Sequence, residues 1–189
     1  MPASQFSSRQ IKAFRRLLWA MADIGAARQA TDLLIRNFNA FHEGFTARAL
    51  ETGTIVSYAR PFGENDGLGS LPQEFRMFDK AELQTYHDRI LRSRDVLAAH
   101  NNLQETPSLV NPLIPRDTVS KVGIEIERNF QTAWRINPPF LSPNVLAGMI
   151  KLFLFQEERI DRAIQTRFRA FLDRHHHAPG RYTLGEDFP

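Results

Sequence analysis

Three residues near the end of a predicted helix have side chains suited to phosphate chemistry: Arg94, Asp95 and His100. Four residues separate Asp95 from His100. An arginine offers a planar fork that can hold two phosphate oxygens, and a histidine can accept or donate a proton near neutral pH. The spacing therefore indicates a candidate site that grips a phosphate and moves a proton beside it.

Arg94 is the most informative of these residues, because the helical pattern calls for an apolar side chain at its position. The stripe around it consists of Leu83, Ile90, Leu91, Leu97 and Ala98, and it also contains His87. A guanidinium that faces a core costs several kcal/mol unless an anion meets it. Arg94 is therefore either paired with a buried carboxylate or kept for a function. His100 either joins it or caps the C-terminus of the helix, where a cation is favoured.

Three further residues could bind substrate near this helix: Arg60, Tyr58 and His87. Arg60 stands beside Tyr58 at a helix end stopped by Pro61, where it could bind a phosphate or lock the following loop. The alternative for Arg60, which we favour, is a buried salt bridge. His87 lies one heptad before Arg94 and could extend its site, but a histidine in a stripe is more often a hydrogen-bonded core residue.

The last helical region carries a second group of cations. These are Arg159, Arg162, Arg167, Arg169 and Arg174. Acidic residues interleave with them, which is more typical of a solvated, salt-bridged face than of an RNA track. His175, His176 and His177 could bind a metal only adventitiously, so we predict no metal site and no cofactor. The sequence also lacks a phosphate-binding glycine loop, a nucleophile elbow and a paired-histidine zinc motif.

The composition is that of a single globular domain with a moderate basic surplus. The chain has 189 residues and a formal charge of +3, and 20 of its 24 basic residues are arginines. This surplus alone does not show nucleic-acid binding. The absence of cysteine excludes disulfides and thiolate chemistry and fits a cytoplasmic location. The N-terminus has no signal-peptide pattern, and the most apolar window, 145–155, is far shorter than the ~20 residues that span a bilayer.

Helical periodicity dominates the first half of the chain. Ser7 or Ser8 caps a first region that either continues through Gly25 as one long helix or breaks there into two. A further helix is predicted over 45–59. Its inward residues are expected to be Ala49, Thr52, Ile55 and Val56. A loop rich in turn-forming residues then occupies 61–72, before the helix that carries Arg94.

The second half mixes a short β pattern with a long helix. Alternation at Val122, Ile124 and Ile126, followed by a partner segment at 132–136, predicts a hairpin over about 118–136. Ser142 and Pro143 then open the longest helix, which runs to about Arg174. We therefore predict a mainly α fold: one helical-bundle domain over 1–175 with a small β-hairpin insertion, and a loosely ordered tail at 176–189.

The run from Arg94-Asp95 to Ala99-His100, late on a bundle helix, resembles the signature of the HEPN superfamily. The turn Tyr58-Ala59-Arg60-Pro61-Phe62, with its glycine-rich loop, is also similar to small bacterial HEPN-like proteins of the AbiU type. The resemblance covers residues 48–102. It implies an up-and-down four-helix bundle that forms a homodimer and brings two Arg-His pairs together. It also implies a metal-independent RNase of toxin–antitoxin or phage-defence systems, with a cognate antitoxin as a possible partner.

On this resemblance, each residue of the motif has an expected role in RNA cleavage. His100 acts as general acid and base toward the 2′-hydroxyl and the leaving oxygen, and Arg94 holds the scissile phosphate. Asp95 orients one of the two. The alternative is a non-catalytic HEPN-like protein, a protein-interaction or RNA-binding module in which Arg94 is structural.

Overall fold

The computed structural model describes residues 7–38, 45–64, 67–99, 121–126, 132–137 and 141–175. This part of the chain contains four α-helices: α1 (Ser8–Arg36), α2 (Phe45–Ala59), α3 (Ala81–Ala99) and α4 (Pro143–His175). Two short 3-10 turns, Arg60–Phe62 and Gln73–Arg76, lie between α2 and α3. The predicted mainly helical bundle is confirmed.

The first helix is continuous through Gly25, which settles the choice between one helix and two. Its N-terminus carries a capping box, because Gln10 N donates to Ser7 Oγ at 3.3 Å and Ser7 N donates to Gln10 Oε1 at 3.0 Å. A glycine inside a helix costs about 1 kcal/mol relative to alanine. The complete burial of Ile24 and Ala27 on either side of Gly25 offsets that cost.

Helix α1 runs antiparallel to both α2 and α4. Thr31 meets Thr54 at 3.3 Å near the middle of α2, whereas Asp23 meets Arg60, just past the end of α2, at 2.7 Å. Residue numbers therefore fall in one helix as they rise in the other. The same holds for α4, since Arg28 pairs with Glu157 and the earlier Ala13 accepts a hydrogen bond from the later Arg167.

Helix α3 is antiparallel to α4, and one glycine allows them to approach closely. Glu82 lies 3.9 Å from Lys151, and the ring of Tyr86 lies against the backbone of Gly148. A Cβ atom at Gly148 would overlap that ring. A residue larger than glycine at this point would therefore force the Tyr86 ring out of its position against α4.

The inward face of α2 differs from the predicted one. Ala49 and Thr52 are exposed and Val56 is 37% exposed, whereas Ile55 is buried as expected. The buried positions of α2 are Ala47, Thr54, Ile55, Tyr58 and Ala59. The prediction failed because the burial of Thr54 and Tyr58 depends on hydrogen-bond partners that belong to other helices.

The longest helix supplies much of the core. Ser142 and Pro143 open α4 as predicted, and Val145 N donates to Ser142 Oγ at 3.4 Å. Its residues Leu146, Met149, Phe153 and Ile160, which recur at helical spacing, are fully buried. Phe168 continues this spacing but is 44% exposed, so the buried face of α4 does not extend to that position.

The connection between α2 and α3 folds back on the bundle. Leu71 N donates to Pro61 O at 2.8 Å, and Arg16 Nε of α1 donates to Leu68 O at 2.8 Å. Gly67 and Gly69 have φ angles of 77° and 72°, in the left-handed region that favours glycine. The described residues of the predicted loop thus contact α1 and one another.

Two short strands pair in the region where the sequence predicts a hairpin. Strands β1 (Lys121–Ile126) and β2 (Thr132–Asn137) are antiparallel, with Ile124 opposite Trp134. Residues 127–131, which would form the turn, lie outside the described part of the chain, as do the residues that lead to and from the bundle. The hairpin insertion into the bundle therefore stays a prediction. Among the described helices, none combines the length and apolar character that crossing a bilayer requires.

Candidate functional site

Arg94 lies at the boundary between the core and solvent, with 35% of its side chain exposed. Its Nε and Nη2 atoms donate to Oδ1 of Asp95 at 2.9 and 2.5 Å. Its Nη1 atom lies against Gly63, where an added Cβ would stand 3.2 Å from this nitrogen. Asp95 is 63% exposed, so Arg94 is paired with a neighbouring surface carboxylate rather than with a buried one.

The structure brings together two of the three predicted catalytic residues. Helix α3 ends at Ala99, and His100 lies outside the described residues. A meeting of His100 with the Arg94–Asp95 pair stays a prediction.

Tyr58 and His87 form a buried pair between α2 and α3. They are 0% and 1% exposed, and Tyr58 Oη and His87 Nδ1 share a hydrogen bond of 2.8 Å. The rings of Phe62 and Phe78 lie 4.7 and 5.1 Å from the imidazole, centroid to centroid. Neither side chain can contact a ligand in this conformation. Their placement does not support the predicted role in substrate binding and favours the core alternative.

Burial keeps the Tyr58–His87 pair uncharged. It is the largest cause that lowers the pKa of His87 to about 4; Asp88 opposes this shift, and Arg76 and Arg159 add to it. Burial also raises the pKa of Tyr58 well above its ordinary value. A histidine with a pKa of about 4 is neutral at pH 7, which suits a packed core residue and not a proton carrier near neutrality.

Arg60 forms an ion pair with Asp23 of α1. The distance from Nη1 to Oδ1 is 2.7 Å, with Arg60 53% exposed and Asp23 12% exposed. Burial raises the pKa of Asp23, and the charge of Arg60 opposes this shift. This is the salt bridge that the sequence favours, although Arg60 itself is at the surface. Phosphate binding by Arg60 stays a prediction.

The predicted salt-bridged face of α4 is more varied than expected. Arg162 pairs with Glu158 at 2.9 Å, as such a face predicts. Arg159 instead donates to the carbonyl oxygens of Met77 and Glu74, and burial lowers the pKa of its guanidinium. Arg159 therefore holds the connection between α2 and α3 against α4.

A basic groove lies between the first turns of α1, the 68–72 segment and the distal part of α4. It has a volume of about 470 Å³ and is lined by Arg9, Lys12, Ala13, Arg16, Leu17, Pro72 and Arg167. Four of these seven residues are cations and none is acidic. Such a lining suits an anion, and arginine in particular suits phosphate.

Sequence reasoning missed three of these cations, although their spacing was readable. Arg9, Lys12 and Arg16 recur at intervals of three and four residues, which places them on one helical face. No acidic residue occurs in α1 before Asp23. The contributions of Pro72 and Arg167 could not be read in this way, since they depend on how the helices pack.

A half-buried carboxylate was also missed by the sequence analysis. Glu51 Oε1 accepts a hydrogen bond from Leu141 N at 2.6 Å, just before the first turn of α4. Burial raises the pKa of Glu51 to about 7, while this hydrogen bond and the charge of Arg48 oppose the shift. Its position in the middle of α2 gives no signal in the sequence.

Among the residues that the structure describes, no three His, Asp or Glu side chains lie close enough together to hold a metal ion. The predicted adventitious site at 175–177 lies outside the described side chains. Comparison of the chain with protein-family models, with curated proteins and with solved structures found no significant match.

Proposed function

We propose that the protein is a metal-independent endoribonuclease of HEPN type that acts in the cytoplasm as a homodimer, in a toxin–antitoxin or phage-defence setting. The observation that carries this proposal is the state of Arg94. Its guanidinium is partly exposed and is held by a neighbouring carboxylate. A purely structural arginine in an apolar stripe would be expected to meet a buried acid.

The arrangement suits a phosphate ligand. Asp95 occupies the Nε and Nη2 edge of the guanidinium and so fixes its orientation. Gly63 leaves room beside Nη1, because it has no side chain. A phosphate that approaches this partly exposed group would meet a pre-oriented cation, which lowers the cost of binding.

In the proposed reaction, the 2′-hydroxyl oxygen attacks the adjacent phosphorus, and His100 accepts the hydroxyl proton. The bond from phosphorus to the 5′ oxygen breaks, and that oxygen takes a proton from His100 of the same or the partner subunit. Arg94 stabilises the charge that develops on the phosphoryl oxygens. The products are a 2′,3′-cyclic phosphate and a 5′-hydroxyl, and the reaction needs no metal.

The test is inducible expression of the parent chain and of the Arg94→Ala and His100→Ala variants, followed by growth and total RNA integrity. Arg92→Ala is the matched control, since Arg92 is an exposed arginine on the same helix. We expect RNA cleavage in cells with the parent and the control only. Purified parent and control proteins should also cleave RNA in the presence of EDTA. Intact RNA with the folded parent, or equal cleavage by His100→Ala, would contradict the proposal.

The alternative is a non-catalytic HEPN-like module for protein interaction or RNA binding, in which Arg94 is structural. It is favoured by the two hydrogen bonds from Arg94 to Asp95, which already use one edge of the fork. In that case Arg94→Ala should lower the thermal midpoint and leave the RNA of the cell unchanged relative to the parent.

A further inference from the structure

The N-terminal part of α1 concentrates positive charge where a helix disfavours it. Arg9, Lys12, Arg15 and Arg16 fall within its first nine residues, and its first turn contains no acidic residue. The N-terminus of a helix carries a partial positive charge within its first turn, so Arg9 opposes the macrodipole and would be stabilised by a nearby anion.

Within the described part of the chain, the groove cations are not neutralised by acidic side chains. The ion pairs between described residues involve other arginines and Lys151, and none of them includes Arg9, Lys12, Arg16 or Arg167. By contrast, Arg28 on the same helix contacts both Asp32 and Glu157. The groove therefore carries a local surplus of positive charge, unlike regions of the surface where arginines are paired with acidic residues.

Two of the groove arginines are held in place by backbone atoms. Arg16 donates through Nε to Leu68 O at 2.8 Å, and Arg167 donates through Nη1 to Ala13 O at 3.1 Å. Each bond fixes one nitrogen of the guanidinium and neutralises none of its charge. The remaining N–H groups belong to half-buried side chains whose position is already set.

Arg9, Lys12 and Arg16 form a row of cations along α1 that is longer than a single phosphate. Arg9 and Arg16 are seven residues apart, which corresponds to about 10 Å along a helix. A nucleic-acid strand carries one phosphate per nucleotide, so a row of this length can contact more than one phosphate of a strand.

An exposed tryptophan continues the row. Trp19 follows Arg16 by three residues and Lys12 by seven, so it lies on the same side of α1, and it is 63% exposed. Single-stranded nucleic acids are typically bound by cationic grooves with aromatic side chains on which bases stack. The pairing of these two features points to a single strand rather than to a duplex.

We propose that the α1–α4 groove binds the phosphodiester backbone of single-stranded RNA and that Trp19 stacks on one of its bases. The inference rests on the proposed function only in naming RNA as the ligand, and it holds whether or not the chain is cleaved. Because contacts to phosphate and one stacking platform read no base edges, binding should be strongly salt-dependent and nearly independent of sequence.

The test uses full-length Trp134→Phe protein, in which Trp19 is the single remaining tryptophan. Its fluorescence is titrated with a 2′-O-methyl RNA oligonucleotide. This ligand lacks the attacking hydroxyl and cannot be cleaved by the proposed reaction. Binding can thus fail while cleavage of ordinary RNA succeeds, and the reverse.

Lys12→Glu is the decisive variant, and Lys151→Glu is its matched control. Both change the net charge equally, and both lysines are exposed, but Lys151 lies outside the groove. We expect Lys12→Glu to weaken binding at least tenfold at low salt and Lys151→Glu to change it less than twofold. Circular dichroism confirms that each variant is folded.

A second variant tests the stacking step separately. Trp19→Ala should weaken binding roughly fivefold to 100-fold, measured by anisotropy of a labelled oligonucleotide. Equal affinities of the Lys12→Glu and Lys151→Glu variants would overturn the groove assignment. Binding of inorganic polyphosphate as tight as that of the oligonucleotide, or binding of a duplex as tight as that of a single strand, would overturn the assignment of a single nucleic-acid strand as ligand.

Discussion

His87 and Arg94 stand seven residues apart on one stripe of α3, yet one is sealed in the core and the other reaches solvent. His87 has a hydrogen-bond partner and aromatic neighbours and is 1% exposed. Arg94 has a surface carboxylate beside it and is 35% exposed. A polar residue in an apolar stripe is thus accommodated in one of two ways. Either it is buried with a hydrogen-bond partner inside the core, or the stripe ends at the surface and the side chain reaches solvent. Only the second leaves a group available to a ligand.

The largest expected effect is the loss of stability on substitution of the buried residue, His87. His87→Ala removes a ring from a packed aromatic cluster and leaves the buried Tyr58 hydroxyl without its partner. We expect a loss of about 2–4 kcal/mol in the free energy of unfolding. Arg94→Ala, as the control on the same stripe, should cost less than about 1 kcal/mol. Urea unfolding followed by circular dichroism measures both, and equal losses would contradict the contrast.

The pH dependence of stability sharpens the comparison. The pKa of His87 falls from 6.5 to about 4 on folding, so its contribution is present above pH 6.5 and is lost as pH falls toward 4. That contribution amounts to roughly 3 kcal/mol at most. The pKa of Glu51 rises from 4.5 to about 7, so its contribution is present below pH 4.5 and is lost as pH rises toward 7.

These two groups oppose each other between pH 4.5 and 6.5, which gives the variants opposite signatures. Glu51→Gln, which keeps the oxygen that accepts the Leu141 hydrogen bond, should lose stability more steeply than the parent as pH falls from 6.5 to 4.5. His87→Leu should lose stability as pH rises from 4.5 to 7. Urea midpoints at four pH values check both slopes. If the profile of either variant runs parallel to that of the parent, the substituted group is not a source of the pH dependence of stability.

A smaller effect is expected at Arg159, whose contacts hold the 73–80 segment against α4. We call this set of contacts the clamp. Arg159→Leu removes the hydrogen bonds to the Met77 and Glu74 carbonyls and the cation–π contact with Phe78 at 5.3 Å. We expect a cost of about 1–3 kcal/mol, with the 73–80 segment exchanging its amide hydrogens faster. Arg162→Leu, a surface arginine one turn later, should cost under about 0.5 kcal/mol. Unchanged exchange in the Arg159 variant would show that the clamp does not hold the segment.

The smallest effect on stability is expected beside the partly exposed residue, Arg94. Gly63→Ala would place a Cβ 3.2 Å from Arg94 Nη1, so the guanidinium must shift by a few tenths of an ångström. We expect less than about 1 kcal/mol in stability, because Arg94 can move toward solvent. RNA cleavage, if Arg94 is catalytic, should fall several-fold. Gly53→Ala, which has open space around its Cβ, should leave cleavage unchanged and slightly stabilise α2.

Periodicity and capping residues predicted the helices well because both are local. Ser7 and Ser142 mark the starts of α1 and α4, and Pro61 follows the end of α2. The inward face of α2 was predicted wrongly, because the residue types of α2 alone do not show that Thr54 and Tyr58 are buried. Their burial depends on Thr31 and His87, which lie on other helices.

The candidate sites divide in the same way. The sequence singled out Arg94 and Asp95 by their position in the stripe, and the structure places their side chains in contact. The groove needed tertiary information, because Arg167 lies 151 residues beyond Arg16 in the chain. The cations of α1 carried a readable sequence signal, but nothing in the sequence showed that α4 and Pro72 would enclose them.

By itself, the sequence determined the helical class, most helix ends and the basic surplus of α1, because propensity, capping and charge act over a few residues. Only the tertiary structure decided which polar groups are satisfied inside and which face solvent. It made His87 neutral, moved the pKa of Glu51 to about 7 and left the groove cations without acidic partners in the described chain. The physical reason is that desolvation and pairing depend on what neighbouring helices bring to a side chain.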